Sequence, residues 1–438
     1  MNVLVLGSGG REHAIYEKLK ESNQIDNLYI APGNAGIEDT FRVKIPANHF
    51  AELAEFAKSK DIKMIVVGPE DPLAGGIVDY FQEFFGDEIL VIGPDVEGAK
   101  LESSKVFAQK FMETVGIPVG RSIVIDSTIN LDDLFSSFVL VLTHDWKKPL
   151  VVKVDGLAAG KGVSIHRTPE EAREKIHKIF YEEEFGSAGE QILLQEFLEG
   201  TEASLFALCN GHDVIFLPTA RDYKRAFNDN QGPNTGGMGS FSPGDALNEG
   251  HLEFIKSRIV EPVLGFFRYR GFLYLGLMVH SEKPDDISMI EFNCRLGDPE
   301  TQCVLRLMEP DLFPYLLWTV NKEENVPRLR KKGYDVVPQK SGGVVNVVIA
   351  AKGYPGKYEK GIPLNLDIDL PEGVQLIHAG TERQGDRVVS TGGRIFNVVA
   401  YGKNIAEARQ LAYRTVDLLK EKNDFSRLHV RTDIASDI

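Results

Sequence analysis

The chain has 438 residues, 43% of them hydrophobic and 26% charged, which is the composition of a folded protein long enough for about three domains. Its 49 lysines and arginines against 64 acids leave a net charge of −15, which argues against nucleic acid as a partner. Three scattered cysteines indicate neither a disulfide framework nor a zinc site. With no basic leader and no apolar run near the roughly 18 residues of a membrane span, the chain is expected to be cytoplasmic and to have no membrane partner.

The first hundred residues alternate apolar runs with helical patterns. Apolar runs typical of buried strands occur at 2–7, 28–31, 64–67 and 89–92, and helical patterns at 50–59 and 76–85. This alternation predicts a doubly wound parallel sheet with helices on both faces. Ligands of such sheets bind at the carboxyl ends of the strands, where Gly68-Pro69-Glu70-Asp71 and Gly93-Pro94-Asp95 fall.

The first strand–helix turn contains Gly7, Gly9 and Gly10 and continues into Arg11. Glu12 stands where a dinucleotide fingerprint requires a third glycine, and no acid ends the second strand, so a nicotinamide cofactor is disfavoured. A helix N-terminus behind glycines suits a single phosphate group. A plain strand–helix turn is the alternative.

The next segment carries a glycine-rich hairpin. A helix is predicted from 100 to 115, followed by strands at 150–154 and 163–165 around a loop with Lys153, Lys161 and three glycines, Gly156, Gly160 and Gly162. The spacing does not fit a phosphate-binding Walker loop, because three residues instead of four separate Gly156 from Gly160 and no hydroxyl follows Lys161. We predict a β flap over a polyphosphate, with a glycine-rich turn and solvated lysines as the alternative.

Three further stretches carry candidate chemistry. In the first, residues 192–200 are predicted to be a strand that runs into an acidic turn. The end of this strand contains Gln195, Glu196, Phe197 and Leu198, and its backbone could face a purine edge or form an ordinary sheet edge with a polar end.

The second stretch, residues 221–244, shows no apolar periodicity and is predicted to be a mobile ligand loop, or else disordered.

The last of the three stretches is a strand predicted at 288–293. Alternation along it places Glu291, Asn293 and Arg295 on one face. The acid and the amide oxygen suit magnesium, and Arg295 suits a transferring phosphate. A carboxylate–arginine pair that only stabilises the fold is the alternative.

The remaining sequence predicts a linker at 324–340 and a separate β-rich unit. Strong strands are predicted at 341–351 and 393–401, and an amphipathic helix at 405–422. His378 and Thr381 in this unit are predicted to be packing or turn residues.

Several motifs resemble one known family. The order of flap, purine-edge strand and Glu-x-Asn strand end resembles the ATP-grasp superfamily. The stretches VLVLGSGGREHA, APGNAG, VVGPEDPL, KVDGLAAGKGV, GPNTGGMG, EFNCRLGDPET and AAKGYPG resemble its glycinamide ribonucleotide synthetase family. The resemblance implies an α/β and α+β multidomain fold: an N-terminal domain at 1–103, an ATP-grasp domain at 104–325 with a lid at about 119–193, and a C-terminal domain at 335–432.

The resemblance also implies an activity, the ATP-dependent joining of glycine to 5-phosphoribosylamine through a glycyl phosphate. Lys105, Lys153 and the flap (Gly156, Gly160, Lys161, Gly162) would bind the phosphates, Gln195, Glu196, Phe197 and Leu198 the adenine, and Glu202 the ribose. Glu291 and Asn293 would bind Mg²⁺ or Mn²⁺. Arg295 would stabilise the glycyl phosphate, Asp222 with Gly236 and Gly237 would hold glycine and the amine, and Gly9, Gly10 and Arg11 the substrate phosphate.

The sequence departs from the family pattern at two positions. Arg221 and Tyr223 stand where the resemblance leads us to expect Gln and His. Three rival functions stay open: another ATP-grasp enzyme such as a carboxylase or a formate-using transformylase, a nicotinamide oxidoreductase, and a nucleotide-binding scaffold. A monomer and a homodimer are both compatible with the sequence.

Overall fold

The computed structural model describes residues 1–135, 148–157 and 162–438. The N-terminal part is a four-stranded, fully parallel sheet. In spatial order its strands are Asn27–Pro32, Asn2–Gly7, Ile62–Val67 and Leu90–Ile92. Helices Gly10–Leu19, Phe50–Ser59, Glu70–Ala74, Ile77–Phe85 and Val96–Ser103 alternate with them. The predicted doubly wound sheet is confirmed.

Side-chain alternation explains why both faces of this sheet are covered. Leu4 and Leu6 pack in one apolar cluster with Phe81, whereas Val3 and Val5 pack in a second cluster with Ile15. A strand that is apolar on both faces needs a helix layer on each side, which is the arrangement of parallel sheets. The carboxyl ends of the strands therefore remain free to face the rest of the molecule.

The helix predicted from 100 to 115 is two helices, because Ser104 interrupts it. The first helix ends at Ser103 and the second is Lys105–Val115. The Ser104 hydroxyl accepts the Phe107 N–H at 3.0 Å and donates to the Asp155 carboxylate at 2.9 Å. The same carboxylate accepts the Val106 N–H at 2.7 Å. A serine N-cap starts a new helix, so the break attaches the helix bearing Lys105 to the flap.

The lid is a four-stranded antiparallel sheet. Its strands in order are Ser122–Asp126, Gln191–Glu196, Leu150–Val154 and Val163–His166. Helix Pro169–Tyr181 packs on it through Ala172, Ile176 and Ile179. The predicted flap hairpin is confirmed, but Gly160 and Lys161 lie outside the described residues.

The central sheet has six strands. In order they are Ile287–Asn293, Arg270–Val279, Thr201–Asn210, Val214–Phe216, Asp335–Val336 and Leu329–Arg330. The helical segments of this part are Glu249–Ile255, Lys256–Val260 (a π-helix), Glu261–Phe267, Thr301–Leu307 and Phe313–Thr319. The last two strands come from the segment that we predicted to be a linker. That prediction is wrong, because Val336 pairs with Phe216, which lies over a hundred residues away in the chain.

Residues 221–244 also differ from the prediction, since they form two hairpins. Arg221–Asp222 pairs with Gly239–Ser242, and Arg225–Phe227 pairs with Gln231–Asn234. Gly239–Ser242 then pairs with Gly343–Ala351 of the C-terminal sheet. The sequence did not indicate these strands, because each has only two to four residues and Gly239–Ser242 also pairs with a strand about a hundred residues later.

The C-terminal sheet completes the fold. Its further strands are Arg394–Gly402, Val374–His378 and Leu428–His429, and a small sheet contains Pro363–Leu364, Arg387–Ser390 and Thr381–Gln384. Helix Ile405–Lys422 packs on it, as predicted, through Ala408, Ala412 and Val416. Among the described helices, none has the length and apolar character needed to span a membrane.

We expect Asp155→Ala to destabilise the protein by about 1–2 kcal/mol, because the Val106 N–H at the helix start loses its acceptor. Asp155→Asn keeps an acceptor oxygen and should lose less than half as much. Urea unfolding followed by circular dichroism measures both. Equal losses in the two variants would show that the charge of Asp155, and not its hydrogen bonds, stabilises the junction.

A buried histidine pair joins the N-terminal part to the C-terminal sheet. The His13 ring accepts the His378 backbone N–H at 2.9 Å, and the two ring centroids are 5.8 Å apart. Burial, assisted by His378, lowers the pKa of His13 from 6.5 to about 3. The folded protein therefore keeps this ring neutral at pH values where the unfolded chain would protonate it.

We expect stability to fall as the pH falls below 6.5, because only the unfolded chain binds the proton between pH 6.5 and about 3. The slope from His13 is about 1.4 kcal/mol per pH unit. Unfolding measured between pH 7 and 5, in wild type and in His13→Asn, tests this. The variant keeps an acceptor near Nδ1 and should show a shallower slope, so equal slopes would contradict the role of His13.

Candidate active site

A cavity of about 440 Å³ opens where the lid, the central sheet and the carboxyl ends of the N-terminal strands meet. Fourteen of the predicted site residues line it: Arg11, Lys105, Lys153, Gly162, Gln195, Glu196, Phe197, Leu198, Glu202, Asp222, Gly236, Glu291, Asn293 and Arg295. Segments separated by more than two hundred residues thus converge on one space. Four predicted residues in the described part of the chain, Gly9, Gly10, Gly156 and Gly237, are not on its wall.

One wall of the cavity is apolar and ends in free backbone groups. Side chains of Met112, Val151, Ile165, Leu193 and Met278 contribute to the cavity lining. Within the part of the chain that the structure describes, no hydrogen bond reaches the backbone of Phe197 or Leu198. An apolar slot with unpaired backbone donors and acceptors suits a flat heteroaromatic ring.

The side chains next to this wall are already engaged. The Glu196 carboxylate pairs with Arg121 at 2.7 Å, and the Gln195 amide donates to Gln109 at 3.2 Å and to the Gly120 carbonyl at 3.2 Å. These contacts hold the strand end in place. The backbone of Phe197 and Leu198, more than the Gln195 or Glu196 side chains, is therefore available to a ligand.

Lysines surround the middle of the cavity. The Lys153 ammonium is buried, donates to the Ile290 carbonyl at 3.1 Å, and has its pKa lowered by burial to about 8. Lys105 donates to the Gly156 carbonyl at 3.4 Å. Lys224 lies 3.0 Å from Glu202, and although burial opposes its charge, Glu202 and Asp222 raise its pKa. These three cations, of which Lys153 is buried, create an attractive site for a polyphosphate.

Glu291 and Asn293 face these lysines from the end of the central-sheet strand. Neither side chain hydrogen-bonds to any of the described residues. Burial opposes ionisation of Glu291, but Lys224 and Lys153 outweigh it and lower its pKa. Two free hard-oxygen groups fit a divalent ion. The described residues contain no group of three or more His, Cys, Asp or Glu side chains arranged for a metal.

Arg295 is held by two acids of the N-terminal part. Its guanidinium lies 2.5 Å from Glu102 and 3.2 Å from Glu70. Burial alone would raise the pKa of Glu70, but Arg295 and Arg11 bring it down to about 2. Glu70 could be anticipated from its place after the third strand, whereas Glu102, in the last turn of a helix, gave no sequence signal.

Asp222 lies in a crowded set of acids. Burial, with Glu300 and Glu202 nearby, raises its pKa to about 8 against the opposing effect of Lys224. Burial also raises the pKa of Glu300, which accepts the Ser204 hydroxyl at 3.2 Å. Sequence reasoning did not assign Lys224 or Glu300 to the site, because neither belongs to a local pattern of alternation.

Three of the four glycines off the cavity wall have local roles. Gly9 donates its N–H to Glu12 at 2.6 Å, and Gly156 donates to the Ala188 carbonyl at 3.2 Å. Gly237 has a φ of +110°, a conformation that favours glycine, and donates to Thr235 at 2.9 Å. The Gly9 N–H that was predicted to bind a phosphate is therefore already used within the turn.

The two departures from the family pattern lie outside the cavity. The Arg221 guanidinium donates to the Tyr223 hydroxyl at 3.0 Å, and that hydroxyl donates to Asp437 at 2.6 Å. Arg221 also pairs with Asp437. These two residues attach the first hairpin to the chain end, which is a structural role.

The flap, the lysine-lined cavity and the Glu-x-Asn strand end define a protein of the ATP-grasp class. The chain matches the models of the phosphoribosylglycinamide synthetase N domain at residues 1–102, ATP-grasp (A) domain at 103–301 and C domain at 344–437. It belongs to the phosphoribosylglycinamide synthetase family. Use of ATP and dependence on a divalent metal are properties of that family.

Individual proteins show the same relationship. The chain is 40% identical over 440 residues to a phosphoribosylamine–glycine ligase of Leptospira interrogans, covering 98% of this chain and 97% of that protein. It is 38% identical over 442 residues to one from Caldanaerobacter subterraneus, covering 100% of both. A crystal structure of the Thermotoga maritima ligase matches with a TM-score of 0.80 at 33% identity, over 99% of this chain and 100% of that one.

A more distant likeness concerns the fold alone. The biotin carboxylase domain of Hydrogenobacter thermophilus 2-oxoglutarate carboxylase matches with a TM-score of 0.68 at 15% identity, over 98% of this chain and 91% of that one. The shared architecture shows that the ATP-grasp core is common to both proteins. It carries no information on the second substrate.

We expect Lys153→Met to weaken ATP binding about tenfold or more, because a charge-assisted bond to a phosphate is lost while the buried stem is retained. Calorimetric titration with ATP measures the change. Lys178→Met, on the exposed face of the lid helix, is the matched control and should bind ATP as wild type does. An unchanged affinity in Lys153→Met would place the phosphates elsewhere.

Proposed function

We propose that this chain joins glycine to 5-phosphoribosylamine at the expense of ATP, giving glycinamide ribonucleotide, ADP and phosphate, a step of purine biosynthesis. The observation that carries the proposal is the single cavity in which Lys105, Lys153, the apolar wall, Glu291 and Asn293 meet. Full-length relatives bear the name of this ligase. It is a carbon–nitrogen ligase with ATP as the energy source.

The chemistry requires activation of the glycine carboxylate. A carboxylate and an amine do not condense in water, so the γ-phosphoryl group of ATP is first transferred to glycine as a glycyl phosphate. Phosphoryl transfer depends mainly on positioning and on neutralising charge. In this reading Lys105 and Lys153 contact the phosphates, and Arg295, fixed by Glu70 and Glu102, stabilises the glycyl phosphate.

The remaining parts of the cavity divide among the substrates. The adenine lies against the apolar wall at 195–198, with Glu202 at its ribose. The flap, of which Gly156 and Gly162 belong to the described residues, closes over the phosphates. Asp222 and Gly236 hold glycine and the attacking amine, and Arg11 lies on the side of the substrate phosphate, near Gly9 and Gly10. Gly237, next to Gly236, donates its N–H to the Thr235 hydroxyl and so supports the segment that bears Gly236.

Glu291 and Asn293 are proposed to hold Mg²⁺ or Mn²⁺. Such an ion, when bound, neutralises charge on the phosphate oxygens during transfer. The chain's own contribution is to keep Glu291 ionised through Lys224 and Lys153, and to leave both oxygen ligands without a protein partner. Cytoplasmic location and a monomeric or homodimeric state remain predictions from the sequence.

Phosphate release from ATP tests the proposal. Release should require glycine and 5-phosphoribosylamine together. Replacing glycine with bicarbonate or formate should abolish it, because neither carries the aminomethyl group by which the glycine site would recognise its substrate. Turnover with bicarbonate or formate and no need for glycine would instead identify a carboxylase or a transformylase. Binding of ATP with no phosphate release in any mixture would indicate a nucleotide-binding scaffold.

We expect Glu291→Gln to reduce turnover about 100-fold or more, because metal-borne charge stabilisation amounts to several kcal/mol. Its melting temperature should stay close to that of wild type, since the side chain has no hydrogen bond to the described residues. Steady-state phosphate release at several Mg²⁺ and Mn²⁺ concentrations measures the effect. Glu309→Gln, on an exposed turn, is the control, and wild-type turnover by Glu291→Gln would remove Glu291 from metal binding.

A further inference from the structure

A second cluster of charged groups lines the corner of the cavity where all three parts of the chain meet. It consists of Arg11 from the N-terminal part, Asp298 from the loop after the central strand, and Arg394 from the C-terminal sheet, with the backbone of Gly236. Neither the predicted site nor the proposed division of substrates assigns a role to Asp298 or Arg394.

Arg394 fixes the corner. Its guanidinium donates to the Gly236 carbonyl at 2.6 Å and to the Asp298 carbonyl at 2.5 Å, and it pairs with the Asp298 carboxylate at 3.2 Å. Tyr354, also from the C-terminal domain, accepts the Gly236 N–H at 3.0 Å. The residues joined by these bonds are 96 to 158 positions apart in the chain. The position of Asp298 therefore depends on the C-terminal domain.

Asp298 itself is an ionised carboxylate with unused acceptor capacity. Its Oδ1 atom accepts from the Gln302 amide at 2.9 Å, and its side chain is 13% exposed. Burial would raise its pKa, but Arg394 and Arg11 outweigh burial and keep the pKa below its usual value. The two carboxylate oxygens together have about four acceptor positions, and the Gln302 amide, the Arg394 guanidinium and the Arg11 backbone N–H use three of them, so one stays available.

The charges around Asp298 indicate which kind of group donates a hydrogen bond to this carboxylate. Because Arg394 already pairs with Asp298 and Arg11 lies nearby, an additional ammonium group gains less there than at an unpaired carboxylate, whereas a neutral hydroxyl needs no counter-charge. The carboxylate also lies against the first glycine turn: a Cβ added to Gly9 would come 3.4 Å from Oδ2, and one on Gly10 would come 3.6 Å from Oδ1. Asp298 is therefore next to the turn proposed to lie near the substrate phosphate.

Among the proposed substrates, only a sugar offers neutral paired hydroxyls. The ribose of ATP belongs beside Glu202 at the adenine wall, which leaves the ribose of phosphoribosylamine for the corner. Carboxylates commonly accept hydrogen bonds from ribose hydroxyls, as in dinucleotide-binding folds. We propose that Asp298 accepts hydrogen bonds from the ribose hydroxyls of the phosphoribosyl substrate, and that Arg394 is the positioning residue that holds Asp298. This inference rests on the proposed function.

Binding of the product, glycinamide ribonucleotide, and of its 2′-deoxy and 3′-deoxy forms tests the assignment by calorimetry. Wild type should bind at least one deoxy form about 10- to 100-fold more weakly than the ribo form, the factor expected for a hydrogen bond to a charged group. Asp298→Asn should weaken binding of the ribo form by a similar factor and reduce that discrimination. Equal wild-type affinity for all three ligands would overturn the assignment without any variant.

The role of Arg394 is tested by a measurement that a general loss of stability would not change, the difference between the KM values for the two substrates. Arg394→Met should raise the KM for phosphoribosylamine far more than the KM for ATP, and Arg394→Lys should recover part of the difference. ADP affinity, measured in every variant, should stay within about twofold of wild type and shows that the nucleotide site is folded. Equal rises in both KM values, with no recovery by lysine, would contradict the positioning role.

The outcomes separate this inference from the function on which it rests. If wild type releases no phosphate with glycine and phosphoribosylamine and does not bind the product, the proposed function fails and the ribose assignment with it. If wild type turns over and binds the product, but Asp298→Asn discriminates against the deoxy forms as wild type does, only the assignment of Asp298 fails.

Discussion

The architecture depends on one buried ion cluster, in which Arg295 lies between Glu70 and Glu102. Glu70 begins a helix after the third parallel strand, Glu102 belongs to another helix of the same part, and Arg295 follows the strand that bears Glu291 and Asn293. Removing one partner from such a buried pair costs about 3–5 kcal/mol, because the other charge is left uncompensated. The cluster therefore ties the N-terminal sheet to the strand end from which the active site is built.

Charge compensation also governs the rest of the cavity. Lys153, Lys224 and Lys105 lie opposite Glu291, Glu202 and Asp222, and burial alone would neutralise many of them. Glu291 stays ionised because the lysines outweigh burial, whereas Asp222, with fewer cations than acids around it, has a raised pKa. The arrangement is stable because opposite charges face each other, and it gives a polyphosphate a cationic path beside an acidic metal-binding edge.

The C-terminal domain is part of the site and not an appendage. The hairpin strand Gly239–Ser242 adds to its sheet, and Arg394 and Tyr354 hold Gly236 from the same domain. The lid is attached in a similar way, through the Asp155 carboxylate at the start of the helix that bears Lys105. Both segments are thus anchored beside the cavity by side-chain hydrogen bonds to another part of the chain.

Local pattern was enough to predict much of this protein. The parallel sheet, the flap hairpin, helix Ile405–Lys422 and the shared face of Glu291, Asn293 and Arg295 follow from apolar periodicity and alternation, which are properties of neighbouring residues. The function was predicted from the resemblance of sequence motifs to a known family. The predictions that were wrong, a loop at 221–244 and a linker at 324–340, concern strands of only two to four residues, too short for alternation to show. Two of these strands also pair with strands about a hundred residues away in the chain.

Only the tertiary structure could place Glu70, Glu102, Lys224, Asp298 and Arg394 around one cavity. Apart from Glu70, none of them stands out in sequence, because their function comes from charges brought together by folding and not from a spacing along the chain. The bond from the Gly9 N–H to Glu12, by contrast, is a local contact three residues along the chain. The sequence by itself determined the elements and the class of chemistry, while the packing of three parts determined which side chains meet and in which ionisation state.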